Sequence, residues 1–460
     1  MKRGLWINSQ KRMVIRSLTR KFPMRQFRIR DNTQTLKESF AAIPGLTGKI
    51  ADKTLEQLER EGIFAFPDEV DDAEDLTKDQ LILQSVNDTY RSGNIMGFLG
   101  CGAERLIIES RFSSKNSDFF FQYLLDKVMD FPSMLNLETD TDQDNRLFSL
   151  LMFLFPYYLR AAMRKGVFKT YIRKSYNNSN VKGTIDIARH IAKNTPFIGN
   201  VAYSQREYSY DNPLMELVRH TIEYIKRKPY GNHLLSGVKD EVKLVISATP
   251  QYEPFDKVKV ITENKHNPIR HAYYREYRSL QNLCILILQQ EKHQIGMGNR
   301  QIYGILFDGA WRWEEYMNLL IEDVFYHPRN KAGQGAQWLF TGRAGLIYPD
   351  FISHNKENRI IADAKYKPVN NIGNKDYLQL LAYLFRFGAK KGYYLYPDSE
   401  MSDDRCYWMN RGISYETKEE LRTDVCVIKH GLKIPREVDN YDDFVKIMKK
   451  NEQEFRMGFR

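Results

Sequence analysis

Residues 345–384, GLIYPDFISHNKENRIIADAKYKPVNNIGNKDYLQLLAYL, decide how this chain reads. Their pattern predicts strand, turn, strand, loop and helix. Leu346, Tyr348, Phe351 and Ile352 give the first strand its apolar and β-branched positions, and residues 354–358 are turn formers. Arg359-Ile360-Ile361-Ala362 opens the return strand. A hairpin of this kind draws Asp350, near the end of the first strand, towards Asp363 and Lys365 on the second. Those two lie two residues apart and share one sheet face.

Two carboxylates converging in a partly desolvated place require a cation between them. Oxygen ligands on rigid strands, with room for waters and a phosphate, suit Mg2+, with Mn2+ as a substitute. The backbone carbonyl of Ala364 is available as a further ligand. Lys365 can orient or deprotonate a water, or offset charge on a scissile phosphate. The combination is that of phosphodiester hydrolysis. Taken singly, the three charged residues fit a solvated surface hairpin, so their surroundings decide. Gln379 and Tyr383 stand at i and i+4 on the following helix and share a face. Upstream, Asp308-Gly-Ala-Trp-Arg-Trp-Glu314-Glu315-Tyr316 begins an amphipathic helix that carries acids.

Pro349-Asp350, twelve intervening residues and Asp363-Ala364-Lys365 resemble the PD-(D/E)xK nuclease superfamily. The Gln379/Tyr383 pair is similar to the QxxxY of RecB-like members, which carry it beside the metal site. The superfamily usually has an acid on the upstream helix; Glu314 is the better match by register and Glu315 the fallback. The resemblance implies a metal held by Asp350, Asp363, the Ala364 carbonyl and Glu314. It implies Lys365 positioning the attacking water, with Gln379 and Tyr383 supporting the site or touching the phosphate.

At 460 residues the chain has room for two or three domains with their own cores. A hydrophobic share of 42% and a charged share of 28% are those of a soluble globular protein. Cys101, Cys284, Cys406 and Cys426 form no CxxC, which argues against zinc and for a reducing, cytoplasmic compartment. The most apolar run, residues 147–159, is too short to span a bilayer and contains Pro156. The net charge of +11 is concentrated: residues 1–30 hold ten Lys or Arg and no acid, whereas residues 301–460 hold 24 basic and 23 acidic side chains. That arm reads as a phosphate-contacting element, as a solvated tail, or as an over-long start, with Met24 an alternative initiator. No GxxxxGK[ST] loop is present, so the chain is not expected to hydrolyse nucleotide itself.

The chain divides into the basic arm 1–30, a mixed α+β docking region 31–296, a nuclease domain 297–435 and a terminal helix and tail 436–460. Residues 31–94 read as helices broken by turns, with an acidic loop at 68–75 and a helix from Thr77 capped near Asp79. A hairpin is expected around Cys101-Gly102-Ala103, helices over 118–131 and 145–165, and an acidic connector between them. Residues 167–210 turn β-rich, including a strand over 181–187. Asp211-Asn212-Pro213 caps a helix to 226, with further helices over 238–247 and 270–290. Gly296-Met297-Gly298 marks the favoured boundary. The C-terminal domain should be α/β, with a mixed central sheet from residues 338–341, 345–353, 359–365 and 392–396. The Glu314 and Gln379 helices should flank it.

Lys182-Gly-Thr-Ile-Asp186, the Arg206–Leu214 junction, Leu306-Phe-Asp308 through Glu314 and the Asp350–Tyr383 core occur in the order that resembles McrC-like proteins, the nuclease subunits of McrBC-type restriction systems with LlaJI-like relatives. This resemblance spans roughly residues 90–430. It implies DNA as substrate and an McrB-like AAA+ GTPase hexamer as partner, on which the N-terminal region docks and whose hydrolysis it stimulates. Two other readings stand beside it: a stand-alone nuclease of repair or phage defence, and a non-cleaving adaptor that activates the motor.

Overall fold

The structure, a computed structural model, describes residues 25–60, 63–66, 79–113, 119–128, 143–293, 302–328, 337–400, 403–411 and 420–459. Its first part runs β1 (Arg25–Arg30), β2 (Gln34–Leu36), α1 (Pro44–Ile50), α2 (Leu55–Arg60) and β3 (Ile63–Phe66). Then come β4 (Leu83–Val86), β5 (Thr89–Ser92), β6 (Ile95–Cys101) and β7 (Glu104–Glu109). Residues 31–94 mix the two: α1 and α2 are helices as expected, whereas β2, β3, β4 and β5 are strands where helix was expected. Asn87, at φ 49°, turns β4 into β5. Asp79 lies in a turn instead of capping a helix. Thr77, the acidic loop at 68–75, most of the connector near 138–144 and the Gly296–Gly298 boundary lie outside the described residues.

The basic arm is in part a strand. β1 pairs in parallel with β7, and Arg25 and Arg28 form ion pairs with Glu104 and Glu109. Residues 1–24 lie outside the described residues.

A middle section follows: α3 (Phe119–Val128), α4 (Gln143–Met163), β8 (Thr170–Asn178), β9 (Thr184–Ile185), α5 (Ile187–Lys193) and β10 (Val201–Ser209). Only Thr184 and Ile185 of the expected 181–187 strand pair, because Asp186 accepts the Arg189 N–H and starts α5. Then come α6 (Pro213–Lys226), α7 (Gly231–Leu234), α8 (Lys239–Ala248), α9 (Lys257–His266) and α10 (Arg275–His293). The helices α4, α6 and α10 bury Leu151, Phe155, Leu159, Leu217, Val218, Tyr277, Leu280 and Cys284 in one core, at i, i+3, i+4 spacing. α9 was not legible in the sequence, since it buries little besides Val260 and Ile261.

The last part comprises β11 (Ile302–Asp308), α11 (Gly309–Ile321), β12 (Phe325–Tyr326), β13 (Gln337–Phe340), β14 (Ala344–Ile347), β15 (Phe351–Ser353) and β16 (Ile360–Ala364). It ends with α12 (Asn374–Phe387), β17 (Lys391–Asp398), β18 (Arg405–Arg411), β19 (Glu420–Lys433) and α13 (Tyr441–Met457). β11 completes a five-stranded sheet of order β1-β7-β6-β11-β3, so strands from both sides of the expected 296/297 boundary share one sheet. β11 and β6 approach closely: a Cβ at Gly97, φ +138°, would meet the Ile305 carbonyl oxygen at 2.1 Å.

A six-stranded mixed sheet of order β12-β15-β16-β17-β19-β18 carries the hairpin read above. The inner strands β16, β17 and β19 run parallel, and Tyr393-Tyr394-Leu395-Tyr396 is buried throughout, as expected of a strand covered on both faces. Trp313, Met317 and Phe455 pack with Ala362 and Leu395 on one face; Leu380, Tyr383 and Leu384 pack with Ile361 and Tyr394 on the other. Thus α11 and α13 cover one side and α12 the other. Residues 338–341 do not join this sheet. They pair with β14 as a separate two-stranded hairpin, which turns through Gly342 and Arg343 at φ 74° and 59°. The expected 345–353 strand is accordingly split, with Tyr348-Pro349-Asp350 between β14 and β15. All four cysteines are unbridged, and among the described residues no helix is long and apolar enough to cross a membrane.

Candidate active site

The β15/β16 hairpin pairs Phe351 with Ala362, and this register fixes Asp350 beside the end of β16. Asp350 is 4% exposed, and its Oδ2 accepts the Ala364 N–H at 2.7 Å. Ile361 packs against α12, so period-two alternation sends Asp363 to that same face. Asp363 is 1% exposed. Lys365 Nζ stands 2.7 Å from Asp363 Oδ2 as an ion pair. Burial raises the Asp363 pKa, with the Lys365 charge opposing. For Lys365, burial works to lower the pKa, but the charges of Asp363 and Asp350 outweigh it and hold the group as an ammonium.

α12 brings the rest. Lys365 Nζ donates to Gln379 Oε1 at 3.4 Å, Gln379 Nε2 donates to Tyr383 Oη at 2.8 Å, and Tyr383 O–H donates to the Tyr348 carbonyl at 3.2 Å. The i, i+4 pair therefore forms a relay from the lysine to the backbone just before Asp350. Burial pushes the Tyr383 hydroxyl up to about 12. The helix is anchored at its start by Asp376, which accepts the Gly373 N–H at 2.9 Å, and it ends at Gly388, φ 62°.

Asp376 and Lys367 belong to the same cluster and were missed in the sequence. Lys367 Nζ donates to both Asp376 oxygens at 2.8 Å, and Lys365 Nζ is 4.0 Å from Asp376 Oδ1. Burial alone would raise the Asp376 pKa, but Lys367, the Gly373 N–H and Lys365 lower it overall. An acid three residues after the cap was the available signal.

Glu314, 6% exposed on α11, meets the site through a residue that carried no signal. His327 follows β12, with Nε2 3.7 Å from Glu314 Oε1 and 3.8 Å from Glu315 Oε1, and its Nδ1–H donates to the Asp350 carbonyl at 2.7 Å. Burial pulls the imidazole pKa down, but Glu315, the Asp350 carbonyl and Glu314 raise it overall. Both upstream acids thus reach one imidazole, and Glu314 is the more buried of them.

The donor set bears on a metal. Among the described residues no three Asp, Glu, His or Cys side chains converge on one point where a metal would sit. Two buried carboxylates, Asp350 and Asp363, do lie together beside α12, with the Lys365 ammonium against Asp363. A hard cation that keeps several waters and uses one or two protein carboxylates fits that arrangement.

A family model described as McrBC 5-methylcytosine restriction system component matches residues 90–397, a span that contains every candidate site residue. No curated protein matches the chain. Among solved structures, the chain is similar to a refined half-complex from the tetradecameric assembly of Thermococcus gammatolerans McrB AAA+ hexamers with bound McrC. The identity is 13%, covering 93% of this chain and 99% of that one, with a TM-score of 0.45. It is also similar to the cryo-EM structure of the Thermococcus gammatolerans McrBC complex, at 14% identity over 65% of this chain and 87% of that chain, with a TM-score of 0.30.

Proposed function

The chain belongs to the family of McrBC 5-methylcytosine restriction system components, and on that premise we propose that it is the Mg2+-dependent DNA-cleaving subunit of such a system, with a PD-(D/E)xK catalytic domain. The observation that carries this reading is the buried Asp350/Asp363 pair with Lys365 against it. Two buried carboxylates beside one close ammonium are costly to keep unless they serve a further cation.

Asp350 and Asp363, with the Ala364 carbonyl, would hold Mg2+ or Mn2+. A divalent ion held there would supply Lewis-acid chemistry to a phosphate and to a water. The chain's own groups do the rest. The Lys365 ammonium offsets the negative charge that builds on the phosphate, and it is aimed by Gln379. Tyr383 fixes Gln379 and the backbone at Tyr348, which keeps Asp350 in register. Glu314 acts through His327, which grips the Asp350 carbonyl.

The partner follows the same premise. The sequence has no nucleotide-binding loop of its own, and the similar chains were solved with McrB AAA+ hexamers. A GTP-hydrolysing McrB-like ring is accordingly the proposed partner, in the cytoplasm, with the region before β11 as its docking side.

The test is cleavage of a methylated plasmid by the purified chain, alone and with the AAA+ partner, GTP and Mg2+. Cutting in the complete mixture, abolished by EDTA and absent without the partner, is the expected result. Cutting by the chain alone would favour the stand-alone nuclease. Stimulated GTP hydrolysis without cutting under any metal would favour the non-cleaving adaptor.

A further inference from the structure

The antiparallel pair β8/β10 presents exposed tyrosines beside cations on one face. Its register sets Tyr171 opposite Tyr208 and Arg173 opposite Arg206. Tyr171, Tyr208 and the neighbouring Tyr210 are 63%, 51% and 48% exposed. The two central tyrosine rings lie 4.9 Å apart. Arg206 sits over Tyr171 at 5.5 Å, and Lys169 lies 4.8 Å and 4.7 Å from the rings of Tyr208 and Tyr210.

The strands' only local carboxylate turns away. Glu207 lies on the opposite face, where it accepts the Tyr176 hydroxyl and stands 4.0 Å from Lys174. Among the described residues, Arg173, Arg206 and Lys169 have no carboxylate partner. Like charges directly across an antiparallel pair destabilise it, and an arrangement of two arginines facing each other is relieved by an external anion. Exposed aromatic rings interleaved with cations on a flat face suit a flexible polyanion whose bases have π faces to stack.

We propose that the Tyr171/Tyr208/Tyr210 face of β8/β10, with Arg173, Arg206 and Lys169, binds single-stranded nucleic acid. The cations take the phosphates and the tyrosines take the bases. Sequence preference should be weak, because the contacts go to ring faces and backbone and not to base edges. The proposal does not depend on the cleavage reading, since the face is built on different strands and uses none of the groups around Asp363.

The full chain, in EDTA to exclude cutting, is titrated against a fluorescently labelled 20-mer oligothymidylate and a 20-base-pair duplex, with anisotropy as the readout. Wild type is expected to prefer the single strand. Arg173→Gln with Arg206→Gln should weaken binding at least tenfold and reduce the log–log salt slope by about 1.4, at about 0.7 per lost phosphate contact. Tyr171→Ala with Tyr208→Ala should weaken it at least about fivefold with the slope unchanged. Lys174→Gln, on the opposite face of the same strand, should stay within about twofold of wild type. All substituted positions but Lys174 are exposed, and unchanged thermal melts show that the variants fold. Wild-type affinity in both double variants, or equal sensitivity of the duplex, would overturn the proposal. So would double variants that still bind the strand but no longer co-purify with the AAA+ partner, which would make this a protein-docking face.

Discussion

Lys365 Nζ lies 2.7 Å from Oδ2 of Asp363, a carboxylate that is 1% exposed. The lysine is thus the main group that makes a buried anion tolerable. Lys365→Met should cost about 3–5 kcal/mol near neutral pH, as for other buried pairs broken on one side. The sign with pH follows from Asp363, whose pKa burial raises: its favourable state exists below the ordinary carboxylate pKa and is lost as pH rises through the folded value. The melting deficit of the variant should therefore shrink as pH is lowered from 8 towards the carboxylate range. A deficit independent of pH would mean that the ion pair is not what the lysine contributes.

The Gln379–Tyr383 relay is expected to act on chemistry more than on stability. Tyr383→Phe removes the hydrogen bonds to Gln379 and to the Tyr348 carbonyl, worth about 1 kcal/mol in folding. Gln379→Ala removes the acceptor for Lys365 on an exposed position and should leave the melt within about 0.5 kcal/mol. Both should lower the single-turnover cleavage rate by roughly tenfold or more, with partner binding retained. Full-rate cleavage by both variants would remove the relay from the account.

Glu314 and Glu315 reach the same imidazole but differ in burial, their side chains being 9% and 31% exposed. Glu314→Gln should therefore reduce cleavage more than Glu315→Gln, by about tenfold in ratio. Rates measured side by side decide it, and the reverse order would assign the role to Glu315.

Far from the site, Asp126 on α3 accepts the Tyr441 hydroxyl of α13, and burial raises its pKa to about 7. A raised carboxyl contributes stability that is present below its ordinary value of 3.8 and lost as pH rises through about 7. Asp126→Asn should accordingly gain on wild type between pH 5 and pH 8, by on the order of 3 kcal/mol. Parallel melting curves across that range would show that Asp126 does not titrate as described.

Much of the C-terminal site was legible because it is local. Asp350, Asp363 and Lys365 come from one hairpin, and the Gln379/Tyr383 spacing needs only a helix. Period-two and i, i+4 rules bring such residues together without knowledge of the wider fold. His327 was not legible, since its contacts to Glu314 and the Asp350 carbonyl depend on how β12 packs beside β15. The same limit explains β11: pairing with β6 and β3 joins segments about two hundred residues apart, and no local pattern encodes that. The strands of residues 31–94 were misread as helices because each is only three or four residues long, too short to show a period.

The most direct test of the central claim compares wild type with Asp363→Asn in Mg2+-dependent cleavage of methylated plasmid, with the AAA+ partner and GTP present. Asn keeps the volume and removes the charge. The expected result is a loss of at least about a hundredfold in cleavage, with GTP hydrolysis, partner co-purification and thermal melt preserved. Cleavage at the wild-type rate in a folded, partner-bound Asp363→Asn protein would contradict the assignment of catalysis to this site.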